Sequence, residues 1–135
     1  MIVNDIWVPW KPHEWIQPHY NFVQCNDFIK KIELLLAVPN SSKKLLIIFD
    51  FPIYMYRATY QPHASPVSIP KDHHCYNQWT FFKVIDSSYL QWLAEQSYGI
   101  LEPQQYIHFS WITPQTIIDV ISLEEPIIQN ITIKP

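Results

Sequence analysis

The side chains best suited to chemistry stand close together in one stretch: His63, His73, His74 and Cys75. Neutral imidazole and thiolate both coordinate zinc, and a loop that bends back on itself brings such groups to one point. The spacing is poor for it. Consecutive ligands such as His73, His74 and Cys75 diverge along an extended chain, and neither a Cys-x-x-Cys nor a His-Glu-x-x-His pattern is present. The same loop allows a second chemistry, in which Cys75 or Cys25 attacks as a thiolate, one of the histidines serves as base, and Asp72 or Asp50 orients it. Such a thiol needs an electropositive pocket, which the adjacency of His74 and Cys75 does not supply, and free cysteines are more often inert and buried. Carboxylates offer a third route, but Asp50, Asp86 and the Glu124-Glu125 pair fall near the ends of expected elements, where capping and solvation account for them. Asp119 alone is awkward, set among Ile117, Ile118, Val120 and Ile121.

A binding role needs no such machinery. The segment Ile53 to Tyr60 reads as an aromatic strand in which Tyr54, Tyr56 and Tyr60 share a face and Arg57 looks the other way. Tyrosines of this kind suit a protein interface, being apolar in the ring and polar at the tip. With Asp72 in the adjoining loop, Tyr54 and Tyr56 are the expected partner contacts. The histidine loop is kept as the alternative metal site.

The elements that position these residues can be read from pattern. The first 19 residues carry Trp7, Trp10 and Trp15 among Pro9, Pro12 and Pro18 and are expected to form an extended arm that closes the core. Tyr20 to Cys25 reads as a short strand. Asn26 and Asp27 then offer an N-cap and a first-turn acid, and Phe28, Ile29, Ile32, Leu35 and Leu36 come next at helical spacing, which predicts a helix over 27–37. Lys44 to Phe51 and Ile53 to Tyr60 read as strands. Residues 61–78, with Pro62, Pro66 and Pro70, are expected to be a long loop. Trp79 to Ile85 is a further strand, and Asp86, Ser87 and Ser88 can cap a helix that Gly99 ends at C′. Tyr106 to Ile112 alternates as a half-buried strand should, with His108 and Ser110 on its polar side. Thr113-Pro114 reads as a helix start, and the residues after Pro126 as a last strand. The expected fold is a single α+β domain, 1–135, with a mixed, mostly antiparallel sheet of five to six strands and about three helices packed mainly on one face.

Composition narrows the function classes. A hydrophobic fraction of 48% and an aromatic fraction of 16% exclude disorder, since a chain so apolar buries enough surface to fold. Gly99 is the only glycine, so a glycine-rich phosphate cradle cannot be built and no nucleotide cofactor is expected. Nine Lys and Arg against twelve Asp and Glu leave a formal charge of −3, with no basic footprint for nucleic acid. A mildly acidic domain matches a basic protein partner better. The start of the chain lacks a signal-peptide pattern and no apolar run approaches membrane-spanning length, so a cytoplasmic address without membrane contact is expected. With that address, the glycosylation patterns at Asn40 and Asn130 are coincidental, and two cysteines make no disulfide framework.

The run His108-Phe-Ser-Trp-Ile-Thr-Pro-Gln-Thr-Ile-Ile-Asp-Val-Ile-Ser, preceded by Asp86-Ser-Ser-Tyr-Leu-Gln-Trp-Leu, resembles small bacterial immunity proteins. The resemblance covers about a third of the chain and is one of pattern. It implies a cytosolic α+β domain that neutralises a toxin by binding it. Together these readings lead to a non-enzymatic protein-binding domain, an immunity or inhibitor protein that blocks its partner by surface complementarity. Two alternatives accompany it: a small metal-binding or cysteine-dependent enzyme built on His63, His73, His74 and Cys75, and a scaffold subunit that docks through the tryptophan arm.

Overall fold

A computed structural model describes residues 5–50, 53–60 and 78–132. Two antiparallel sheets face each other. One has the strand order β1 (Ile6–Pro9), β6 (Phe81–Ile85), β7 (Ile107–Ile112), β8 (Thr116–Ser122), β5 (Ile53–Tyr60). The second has the order β2 (Asn21–Asp27), β3 (Ile32–Ala37), β4 (Lys43–Phe49), β9 (Ile127–Thr132). The only α-helix among the described residues is α1, Ser88–Gln96, and Pro103–Gln105 make one 3-10 turn. The expected α+β class with about three helices is therefore overturned: the chain is mostly β, and every strand pair found is antiparallel rather than mixed.

Two expected helices are hairpins, and in each the residues that suggested a cap do a turn's work. Asp27 Oδ1 accepts from the Ile29 amide, which turns the chain between β2 and β3 where a helix was expected over 27–37. Ile29 sits there at φ 63. Thr113 Oγ1 donates to the Thr116 carbonyl and accepts from the Thr116 amide, closing the β7–β8 turn around Pro114. Beyond this turn runs β8, buried along its whole length. A run of isoleucines buried on all sides fits a strand between two covered faces as well as it fits a buried helix, and β-branching decides for the strand.

The core lies between the sheets. Leu34, Leu36, Leu45 and Ile47 of the second sheet meet Phe81, Phe109, Trp111, Ile118 and Val120 of the first. Aromatic rings fill its centre: Phe49 lies 5.6 Å from Phe109 and 5.9 Å from Trp111 between centroids, both edge to face. The N-terminal segment adds Trp10, 5.1 Å from Phe109, and is tied down by Trp79 Nε1 donating to the Trp10 carbonyl and Thr80 Oγ1 to the Pro18 carbonyl. At one rim Tyr56 of β5 donates its hydroxyl to Asp27 Oδ2 of β2, joining edge strand to edge strand.

The first sheet is covered on its other face too. Tyr89, Leu90, Leu93 and Leu101 pack on Ile121, while Trp7, Phe82, Val84, Ile112 and Ile117 form a separate buried cluster. Thus the first sheet is a middle layer. His108 and Ser110, expected on a solvated face, are instead fully buried.

Candidate functional site

Strand register gathers four chemical side chains on this second face of the middle sheet. Arg57 of β5 stands directly opposite Asp119 of β8, and His108 of β7 pairs with Ile121, one pleat from Asp119. Ser87, the N-cap of α1, meets His108 from the helix layer. Ser87 Oγ lies 2.6 Å from His108 Nδ1, His108 Nε2 lies 2.7 Å from Asp119 Oδ1, and Arg57 Nε lies 3.0 Å from Asp119 Oδ2. One proton arrangement satisfies every atom. Ser87 Oγ accepts from the Leu90 amide and donates its hydroxyl proton to Nδ1, so His108 carries its proton on Nε2 and gives it to Asp119.

The electrostatics are set by burial. Desolvation alone would raise the Asp119 carboxyl, but the hydrogen bond from His108 and the charge and hydrogen bond of the Arg57 guanidinium outweigh it and hold the group below its ordinary range. Arg57 also lies 3.9 Å from the Tyr89 ring centroid, and the Tyr89 ring stands edge-on to His108 at 5.7 Å. Burial pushes the Tyr89 phenol up to about 12, with Arg57 opposing the shift and Asp119 adding to it.

Serine, histidine and aspartate in this order are the side chains of a nucleophilic triad. Attack on a carbonyl also requires free amide donors for the oxyanion and a carboxylate able to balance an imidazolium. Here Arg57 already balances Asp119, and Ser87 Oγ is occupied by the Leu90 amide. The Ser88 amide donates to Asp5 Oδ1 at 2.5 Å, so a carboxylate stands where an oxyanion would have to bind. In this arrangement the four side chains tie α1 to the middle sheet.

Beside the tie opens a cleft of about 550 Å³, lined by Ser87, Leu90, Gln91, Pro103, Gln104 and Tyr106 among others. Helix α1 and the connection after it expose large apolar side chains: Trp92 is 47% exposed, Tyr98 96% and Ile100 86%. Tyr98 itself takes a left-handed backbone, φ 55, one residue before Gly99, which places the helix stop earlier than the glycine suggested. Along the sequence the charge of this part of the chain is of one sign, although Lys83 lines the cleft and pairs with Glu125 at 3.5 Å. No Lys or Arg stands between Lys83 and Lys134, whereas Asp86, Glu95, Glu102, Asp119, Glu124 and Glu125 do. All of these acids except Asp119 are exposed.

Tyr56 is half-buried with its hydroxyl bonded to Asp27, while Asp72 and the Tyr54 side chain lie outside the described residues. His63, His73, His74 and Cys75 lie outside them as well, and among the described residues no group of three His, Cys, Asp or Glu is placed to hold a metal ion. Cys25 is a free thiol, raised by burial and by Asp27 nearby, the reverse of what a nucleophile needs. Sequence reasoning did not find the Ser87–His108–Asp119–Arg57 set. Its signal was Asp119 itself, a charge inside an isoleucine run that must find partners when buried.

No helix among the described residues is long and apolar enough to cross a membrane. The described residues define a two-sheet antiparallel sandwich that carries α1 on the outer face of one sheet. No protein-family model matches the chain, nor does any curated protein or solved structure.

Proposed function

We propose that the chain is a non-enzymatic protein-binding domain that acts in the cytoplasm as an inhibitor or immunity protein, covering a basic surface of its partner. One observation carries this reading: Trp92, Tyr98 and Ile100 stand exposed on α1 and the turn after it, within a segment that has acids but no Lys or Arg. Isolated exposed apolar residues are ordinary, but a tryptophan on α1 and a tyrosine just past its end, in a segment with several exposed carboxylates, match the anchor-and-rim make-up of an interface. The four-residue tie beneath the helix fixes the platform from which these anchors project.

The test is affinity capture from the native host, then binding measurements on the recovered partner. Trp92→Ala and Tyr98→Ala together should weaken the complex at least tenfold, about 1.4 kcal/mol, with the fold retained by circular dichroism. An inhibitor further requires that the partner's activity fall to its floor at one molar equivalent. Undiminished binding by the double variant would sink the proposed surface.

A further inference from the structure

The second sheet has an outer face as well, and its composition is unusual. Sandwich strands normally alternate apolar inside and polar outside. On β3 and β4 the inward residues are buried as expected, yet the outward ones include Leu35, Leu46 and Ile48, and β9 adds Ile127 and Ile131 to the same face. Register joins four of them, since Leu35 pairs with Leu46 and Ile48 with Ile127; Ile131 stands opposite Lys44 at the far end of β4, with Gln129 between it and Ile127. Ile127 is 50% exposed and the others are half-buried. No other described element packs on this face, since α1 and the 3-10 turn lie beyond the opposite sheet.

The charges on the face indicate what covers it. Glu33 stands at one end of β3, opposite Ile48, and Lys44 at the other end of β4, opposite Ala37, with the Leu35–Leu46 pair midway between them. A two-fold axis lying over that leucine pair turns the strands end for end. It sets Glu33 of each copy beside Lys44 of the other. Lys31 also approaches Glu33, at 3.3 Å, from its own chain. An aliphatic centre with one acid and one base placed symmetrically about it is complementary to itself, as an isologous interface must be.

We propose that this face is a dimer interface and that its occupant is a second copy of the same chain, sheet stacked on sheet. Four strands and six residues span about 14 Å by about 20 Å, a footprint about a third of the roughly 800 Å² per partner of a standard interface, so the dimer is a weak, transient one. The stacked pair carries its two α1 surfaces at opposite ends. This inference does not rest on the proposed function, which concerns the other side of the molecule.

Sedimentation velocity over a concentration series, from about 1 μM to about 1 mM, reads the association across the range such interfaces occupy. The wild-type chain should pass from monomer to dimer, and Leu46→Glu should remain monomeric with an unchanged far-ultraviolet circular dichroism spectrum. Because Leu46→Glu also alters a strand, charge reversal supplies an independent arm. Glu33→Lys should weaken the dimer, and adding Lys44→Glu should restore it. A wild-type chain that stays monomeric throughout overturns the proposal, as does a dimer indifferent to both Leu46→Glu and Glu33→Lys.

Discussion

Asp119 shows how one side chain links folding to acidity. Buried between His108 and Arg57, its carboxyl is held below the ordinary value of 3.8. Between the folded and unfolded values the unfolded chain binds the extra proton, so the stability Asp119 contributes is complete above about pH 3.8 and is lost as pH falls through the lower folded value. Asp119→Asn should destabilise the fold by about 3 kcal/mol near neutrality, since it leaves Arg57 and His108 without their anionic partner. The variant should also lack this part of the acid dependence. Denaturant melts of both proteins across an acidic pH series check both statements. Equal slopes against pH would mean that another carboxylate dominates the acid limb.

At the scale of elements, hydrophobic pattern and cap chemistry were legible to different degrees. Helix α1 forms over Ser88–Gln96 because Ser87 accepts from the Leu90 amide and Tyr89, Leu90 and Leu93 share the buried side. The segment around Ile32 is a strand although Asn26, Asp27 and the apolar spacing suit a helix, because Asx chemistry serves a tight turn as readily as a helix start. The β7–β8 hairpin was hidden for a similar reason: Thr113-Pro114 is as good in a turn as at N1. Of the candidate site, Asp119 stood out in the sequence, but Ser87 and Arg57 join it only through packing and register, and a single sequence carries neither. The β2–β3 turn yields its own expectation. Ile29, β-branched, sits at φ 63 and is 98% exposed, so its side chain contributes strain and no packing. Ile29→Gly should raise stability by about 1 kcal/mol, read as a shift in the denaturant midpoint at constant m-value.

Across the whole molecule, the distribution of charge matters more than its sum. A formal charge of −3 looks unremarkable, yet the stretch between Lys83 and Lys134 holds six acids and no Lys or Arg, and α1 presents part of it. The basic partner proposed for this domain should associate at a rate that falls as salt rises, while dissociation, governed by Trp92 and Tyr98, should change little. Stopped-flow association at several ionic strengths separates the two, and a salt-independent association rate would remove the electrostatic part of the proposal. The middle sheet has one more consequence, felt before the fold exists. Ile117 to Ile121 is an uninterrupted β-forming stretch except for Asp119, and in the unfolded chain its partner strand β5 is far off along the sequence, with Arg57 and Asp119 separated by 62 positions. The carboxylate that later anchors the helix thus serves first as a gatekeeper, discouraging self-association of a segment otherwise suited to aggregate.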